Sequence, residues 1–557
     1  MESQRSLLFI ALMVVTYLLF NQWQQENAPL PEQQVTKSTQ ATINDNADFV
    51  PEASAAKIIP PQIGSSTAKI ITVTTDTLLI KINSQGGDII EAKLRNYDTE
   101  QGNGIPYTVM QNGSQKYIAQ SGLTGANGID RIVKGRPVYT SVNSNYELSD
   151  DYLDVDLVFT DTSGMTVTKR FVFAKNSYQV DVEYIINNNT ANTVSVQMYG
   201  QLKQSSVVNT GGGMLPTYRG AAYSTTEERY EKYDFDDIQA ANLTKATDGG
   251  WVAMLEHYFV SAWVPKAEDT NQLYTSFSNN MEAVIGFKAP AVIIDAGQQG
   301  NTSATFYVGP KNQKVLEKIA PSLDLTIDYG FLFMISQPLY GLLNIIQSGE
   351  FNFFGIDVDL GGVGNWGLAI IIITLIIKGV MYPLTKAQYT SMAKMRDLAP
   401  KMAQLKERFG DDRQKMSQAT MEMYRKEKVN PAGGCLPLLL QMPIFLALYW
   451  VFLESVELRH APFVLWIEDL SAMDPYFVLP ILMGASMYVM QKMQPMTIQD
   501  PMQQKIMQYM PVVFSIFMAW FPSGLVLYWL ISNIVSIVQM KMIFAGIAKQ
   551  KAAKTAK

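Results

Sequence analysis

Side chains that build most buried chemical sites are scarce in this chain. Among 557 residues there is one cysteine, Cys435, and there are two histidines, His257 and His460. A single cysteine excludes an intramolecular disulfide, so any exported portion must hold together by its core alone. Neither histidine lies in a long apolar run, which excludes a membrane site built on paired histidines. No G-x-x-x-x-G-K followed by Ser or Thr occurs, so there is no P-loop for nucleotide-driven transport.

Acidic residues are missing from the C-terminal stretch 541–557, which carries five lysines. Segment 386–428 holds eleven Lys/Arg against six Asp/Glu, Lys492 and Lys505 oppose Asp500, and Lys378 stands alone in an apolar run. Together these carry +12 in a chain whose net charge is -6, which leaves -18 for the remainder. Basic loops mark the cytoplasmic side of a membrane protein. The acidic bulk is therefore expected outside the cytoplasm.

What is present divides the chain. Residues 7–20 form an apolar run interrupted only by Thr16 and preceded by Arg5. No small-residue cleavage pattern follows it, and Trp23 suits a membrane interface, so 1–23 is expected to be an uncleaved signal anchor; a cleaved signal is the alternative. Residues 24–66, rich in Gln, Asn, Ser, Thr, Ala and Pro, read as a flexible tether. From 67 to 325 apolar and polar residues alternate, as in Leu153-Asp-Val155-Asp-Leu157 and Val194-Ser-Val196-Gln-Met198. Clusters such as Asn187-Asn188-Asn189 and Gly211-Gly212-Gly213 punctuate the runs. Many short strands of period two predict a large all-β sandwich, with 310–320 helical and closing it.

Segment 326–365 reads as an interfacial amphipathic helix, broken by Pro338, and a connector. Five apolar runs follow at 366–382, 436–453, 476–490, 506–521 and 525–540, within a membrane unit of 366–545; a basic tail, 546–557, follows it. With the anchor this predicts a six-helix polytopic bundle, its N-terminus inside. The loops 386–428 and 492–505 and the tail are then cytoplasmic, and all are net basic.

Four constellations stand out. Thr374 and Lys378 are four apart and share a helix face. A charge near the bilayer centre costs about 2.5–3.5 kcal/mol and marks function by default; the competing reading is a lysine snorkelling to the headgroups one turn away. Tyr528, Ser532 and Ser536 recur at four-residue spacing, with Asn533 and Gln539 beside them, and Gln441 interrupts the run 436–453. Together with Lys378 they suggest a wet groove; hydrogen bonding between helices is the simpler reading for each serine alone. In 386–428, Met402, Leu405 and Phe409, then Met416 and Met423, give two apolar helix faces around Gly410-Asp411-Asp412, a basic hairpin that either packs on itself or forms a docking platform. Met487, Met490, Met493, Met496, Met502, Met507 and Met510 crowd the fourth and fifth runs, suiting either a surface for varied apolar partners or an adaptable core.

Met381-Tyr-Pro-Leu-Thr385, Asn430-Pro-Ala-Gly-Gly-Cys435, Gln441-Met-Pro-Ile-Phe445 and Phe521-Pro-Ser-Gly-Leu525 resemble, in order and spacing, the core of the YidC/Oxa family of membrane-protein insertases, over about 328–548. The resemblance implies a five-helix core with a hydrophilic groove and, outside, a β-supersandwich similar to sugar-mutarotase folds. It implies clients that are nascent membrane proteins, cooperation with the Sec translocon, ribosome contact through the basic hairpin and tail, a lipid environment, no DNA and no cofactor. It also implies an ATP-independent insertase and folding chaperone rather than an enzyme. Where the family's groove carries Arg, this chain has Lys378: the charge survives, the bidentate fork does not. The stretch 349–364 is longer than the resemblance leads one to expect. Other function classes fare worse. A hydrolase using Ser523 lacks a membrane histidine, and Lys378 belongs to the opposite membrane face; a transporter would need paired broken helices; sugar turnover by the β domain would rest on fold likeness alone.

The intact mass of the purified protein is expected to include residues 1–23, because no small-residue site follows Phe20. A mature N-terminus near residue 25 would overturn the anchor.

Overall fold

The computed structural model describes residues 68–130, 136–207, 217–278, 281–353, 356–409, 412–427, 436–494 and 501–555. The predicted anchor 1–23, the tether 24–66 and the last residues of the basic tail lie outside them.

Alternation of side chains drives the first half into strands. In Gln179–Asn187 Val180, Val182, Tyr184 and Ile186 are buried while the residues between them are not, as the period of two requires. That strand pairs antiparallel with Thr166–Ala174 on one side and Gln299–Pro310 on the other. It belongs to a nine-stranded sheet, which faces a ten-stranded sheet centred on Val194–Ser205 between Tyr117–Thr124 and Glu282–Ile294. Their inner faces share one core running from Val73 and Ile80 to Phe306 and Val308. This is the expected β-sandwich.

The core is not wholly apolar. Arg136, buried between the sheets, donates from Nε to Asp130 Oδ1 at 2.8 Å and from Nη1 to the Asp88 carboxylate at 2.5 Å. Lys169, on the nine-stranded sheet and 0% exposed, donates to the carbonyls of Gly86, Gly87 and Ser121 at 3.0, 2.7 and 3.1 Å, tying the two sheets together. No pattern in the sequence announced this network.

Two short helices, α1 (Phe235–Ala240) and α2 (Gln313–Ile319), belong to the β domain, and α2 lies within the predicted 310–320. Then come α3 (Phe333–Ser348), α4 (Trp366–Val380), α5 (Tyr382–Asp397), α6 (Ala399–Phe409), α7 (Arg413–Lys426), α8 (Leu436–Glu454), α9 (Val478–Met493), α10 (Pro501–Phe517) and α11 (Ser523–Thr555). Each of the five apolar runs predicted after residue 366 carries a helix. Among the described residues, one helix is by itself long and apolar enough to cross a membrane, over Ser523–Gln550; α4 and α5 meet that test only as a pair bent by 64°. The bend falls at Met381, and Pro383 starts α5, where a missing N–H costs nothing. Pro338, expected to break the interfacial helix, is accommodated inside α3. Ser336, Tyr340 and Leu343 are buried in α3, which packs against α8, and that packing offsets the lost backbone bond. The hairpin expected in 386–428 begins as α5 and continues as α6 and α7, whose start is capped by the Asp412 carboxylate at the N–H groups of Gln414 and Lys415.

The helices and the β domain join through a continuous apolar core. Ile370, Ile373, Leu448, Phe452, Met483 and Leu525 belong to the same cluster as Trp251, Val260, Tyr307 and Leu316 of the β domain. Polar contacts fasten the joint. Arg459 donates from Nη2 to the carbonyl of Asp98 at 2.7 Å and of Thr99 at 3.2 Å. Its guanidinium lies 5.2 Å from the Tyr107 ring centroid and 5.7 Å from that of Phe259. His257 Nε2 donates to the Leu453 carbonyl at 2.8 Å, and burial pushes the ring's pKa down to about 4, so it is neutral. The lone His257 is a structural residue of this joint.

Burial lowers the pKa of Lys169 to about 7, with Asp88 opposing the shift. Between about pH 7 and the free lysine value near 10.4 the unfolded chain then holds the extra proton, so stability rises with pH across that window. Thermal unfolding of the full-length protein is expected at a higher temperature at pH 9 than at pH 7, and Lys169→Met is expected to flatten the difference. A midpoint that falls between those pH values would contradict the assignment.

Candidate functional site

Helices α4, α8 and α11 bring the predicted polar residues to one point, the ammonium of Lys378. Its Nζ donates to Gln441 Oε1 at 3.2 Å and to Ser536 Oγ at 3.0 Å. Gln441 Nε2 in turn donates to Ser532 Oγ at 3.2 Å. The four-residue spacing of Ser532 and Ser536 puts both on the side of α11 that meets α4 and α8. Gln539, three residues further on, donates to the Lys378 carbonyl at 3.2 Å, tying α11 to the end of α4. Asn533 turns to another neighbour and donates to Ser486 Oγ of α9 at 2.9 Å. Lys378 is 7% exposed, and Ser532, Asn533, Ser536 and Gln539 are also buried; Gln441 is half-buried.

Charge and hydrogen bonding are handled differently here. Neutral oxygens satisfy two of the three donors of the ammonium, while no carboxylate pairs with it among the described residues. The cation is solvated by side chains but not neutralised. Two further polar atoms nearby in the bundle, Tyr528 Oη and Gln539 Oε1, are buried with no hydrogen-bond partner. Each such atom costs about 1–3 kcal/mol unless a guest or water reaches it. The cluster thus keeps hydrogen-bonding capacity that the described residues do not use.

Thr374, expected on the same face, is not part of this network. It is buried, and its hydroxyl donates to the Ile370 carbonyl of its own helix at 2.6 Å, a local bond that Thr makes readily in helices. The five hairpin residues Met402, Leu405, Phe409, Met416 and Met423 are all half-buried, in two helices that lie against one another. Of the methionines, Met490 and Met493 pack against Tyr389, Met392, Met540 and Ile543, Met487 packs in the main helix core, and Met510 is exposed; Met496 lies outside the described residues.

Ser486 was not foreseen as part of the site, whereas Gln539 was named beside the stripe and its contact with α4 is the addition. Gln539 had a signal, its i+3 spacing from Ser536; a single serine in an apolar helix, such as Ser486, has none. The geometry does not build a hydrolase. Ser523 donates to the Ala472 carbonyl at 2.8 Å and lies thirteen residues before Ser536, about 20 Å along α11. Ser536 does touch Lys378, but its proton goes to the Ser532 carbonyl at 2.8 Å, so the lysine donates to it rather than taking its proton.

Two family descriptions match the chain: the YidC periplasmic domain over residues 70–342 and the 60Kd inner membrane protein over 359–551. A membrane protein insertase YidC of Pseudoalteromonas atlantica is 54% identical over 555 residues, 99% of each chain. One of Shewanella woodyi is 53% identical over 558 residues, again 99% of each. Among solved structures, an active YidC insertase with its first transmembrane domain resolved is 19% identical and covers 86% of this chain and 93% of that one, with a TM-score of 0.38. A galactose mutarotase related enzyme of Lactobacillus acidophilus is 8% identical and covers 43% of this chain and 97% of that one, with a TM-score of 0.31.

Proposed function

This chain belongs to the YidC family of membrane-protein insertases, and from that premise we propose that it guides hydrophobic segments of new proteins into the inner membrane past the cation of Lys378. The observation that carries the reading is the ammonium held by Gln441 and Ser536, with no carboxylate paired to it among the described residues. A client's apolar segment slides along the lipid-facing helices. Its polar flank, which must cross, exchanges water for Lys378, Gln441, Ser532 and Ser536, with Tyr528 and Gln539 offering further bonds and Thr374 and Asn533 supporting the lining.

No nucleotide is required. Burial of apolar area at roughly 25 cal/mol per Å² drives entry, and the membrane potential adds about 2.3 kcal/mol per charge per 100 mV. Six spans, with the β domain in the periplasm and the C-terminus in the cytoplasm, fit the basic loops. The hairpin residues Met402, Leu405, Phe409, Met416 and Met423 then receive the client on the cytoplasmic side. The ribosome is met through the basic hairpin and tail, and the Sec translocon is a working partner for larger clients.

At about 4 Å and an effective dielectric of 20, a client carboxylate gains roughly 4 kcal/mol of Coulomb energy from Lys378 before desolvation is subtracted. If about 1.4 kcal/mol survives, entry changes tenfold. Insertion rates are to be measured for a matched pair of clients with acidic and neutral translocated tails. Lys378→Arg is expected to be tolerated. Lys378→Ala is expected to slow the acidic client by up to about tenfold and the neutral one little, and Lys378→Glu to be worse for the acidic client. Equal slowing of both clients would overturn the groove-charge mechanism.

A further inference from the structure

The stretch 349–364, longer than the family resemblance suggests, is a built element. Its strands Glu350–Phe353 and Ile356–Asp359 pair antiparallel as a separate two-stranded sheet. The register matches kind with kind. Phe351 stands opposite Val358 and Phe353 opposite Ile356, while Glu350 stands opposite Asp359 and Asn352 opposite Asp357. Directly opposed residues share a face, and successive residues alternate. Among the described side chains, Phe351 and Val358 therefore share the apolar face of the hairpin, and Glu350 and Asp359 the acidic one.

The base of the hairpin is clamped to the end of α3. Gly349 ends that helix in the left-handed region at φ 80°, and its N–H reaches the Ile345 carbonyl at 2.8 Å. The N–H groups of Val363 and Gly364 reach the carbonyls of Ile346 and Gln347, each at 3.0 Å, satisfying acceptors that a helix end leaves open. A Cβ at residue 362 would lie 2.1 Å from the Gln347 carbonyl oxygen, so only glycine allows this approach. Directly after Gly364, the Asn365 side chain caps α4 at the Leu368 N–H, 3.0 Å away. The hairpin is thus held between the C-terminus of α3 and the N-terminus of α4, with Leu360 71% and Val363 38% exposed beside its base.

We infer that this hairpin is a membrane-surface anchor, whose apolar face enters the outer-leaflet boundary of the bilayer and whose acidic face stays in water. The inference rests on the membrane placement of α3 and α4 proposed above. The occupant of the apolar face is lipid because the face is continuous with that boundary: the element starts where an interfacial helix stops and ends where a spanning helix begins. The distribution of charge agrees, since Glu350 and Asp359 lie on the face opposite Phe351 and Val358. Short amphipathic elements bind membranes in this way, with the apolar side a few ångströms below the headgroups.

The test uses full-length protein in lipid-only vesicles, with Cys435→Ser as background and single cysteines from Phe351→Cys, Val358→Cys and Asp359→Cys. Each carries an environment-sensitive nitrobenzoxadiazole dye, and the vesicles contain lipid brominated near the top of the acyl chain. Dyes at 351 and 358 are expected to emit at shorter wavelength and to lose roughly half their intensity to the brominated lipid, while the dye at 359 loses little. The two apolar-face positions guard against one substitution distorting the strand. Water-like, unquenched emission at both 351 and 358 overturns the inference, and would follow if a protein partner, absent from these vesicles, covered the face. Client insertion is measured in the same vesicles: quenching without insertion supports the hairpin anchor and counts only against the insertase reading.

Discussion

A lysine ammonium among apolar helices has to be solvated by the protein itself, and that requirement organises the helical half of this molecule. Lys378 reaches Gln441 on α8 and Ser536 on α11, and α11 returns a bond from Gln539 to the carbonyl of Lys378. Three helices are therefore fixed to one another around a charge rather than around a purely apolar seam. The acceptors are neutral, so the ammonium's hydrogen bonds are partly met while its field is left free. A carboxylate in the position of Gln441 would have given a tighter pair and extinguished that field.

The β domain supplies the contrast. Its buried cation Arg136 meets two carboxylates, Asp88 and Asp130, and closes on itself between the sheets. Nothing is left over there for a guest. A satisfied ion cluster stabilises a particular packing, whereas an unneutralised one is available for recognition. The two cations differ in partner type rather than in depth of burial, since both are almost fully enclosed.

Much of this architecture was legible because it rests on short-range periodicity. The alternation in 153–157 and 194–198 predicted strands, the apolar runs after 366 predicted helices, and the i+4 stripe holding Ser536 met Lys378 across a separation of 158 residues. What stayed hidden depends on long-range pairing. Lys169 stands in phase with the buried Val167, Phe171 and Phe173, and only the carbonyls of Gly86, Gly87 and Ser121, brought from distant turns and strands, make a lysine tolerable there. Thr374 shared the right helix face but spent its hydroxyl locally, a choice that periodicity cannot see. Pro338 was read as a stop, and tertiary packing on α8 overrode it. The joint between the β domain and the helices was likewise invisible, since it is built from residues far apart in the chain.

That joint has an evolutionary side. Arg459 binds the carbonyl oxygens of Asp98 and Thr99, and His257 binds the carbonyl of Leu453. All three acceptors belong to the main chain, which every amino acid supplies. Side chains at 98, 99 and 453 are therefore free to drift without loosening the contact, while the donors at 459 and 257 are not. At these three hydrogen bonds selection falls on the donor alone, and each half of the molecule supplies one such donor.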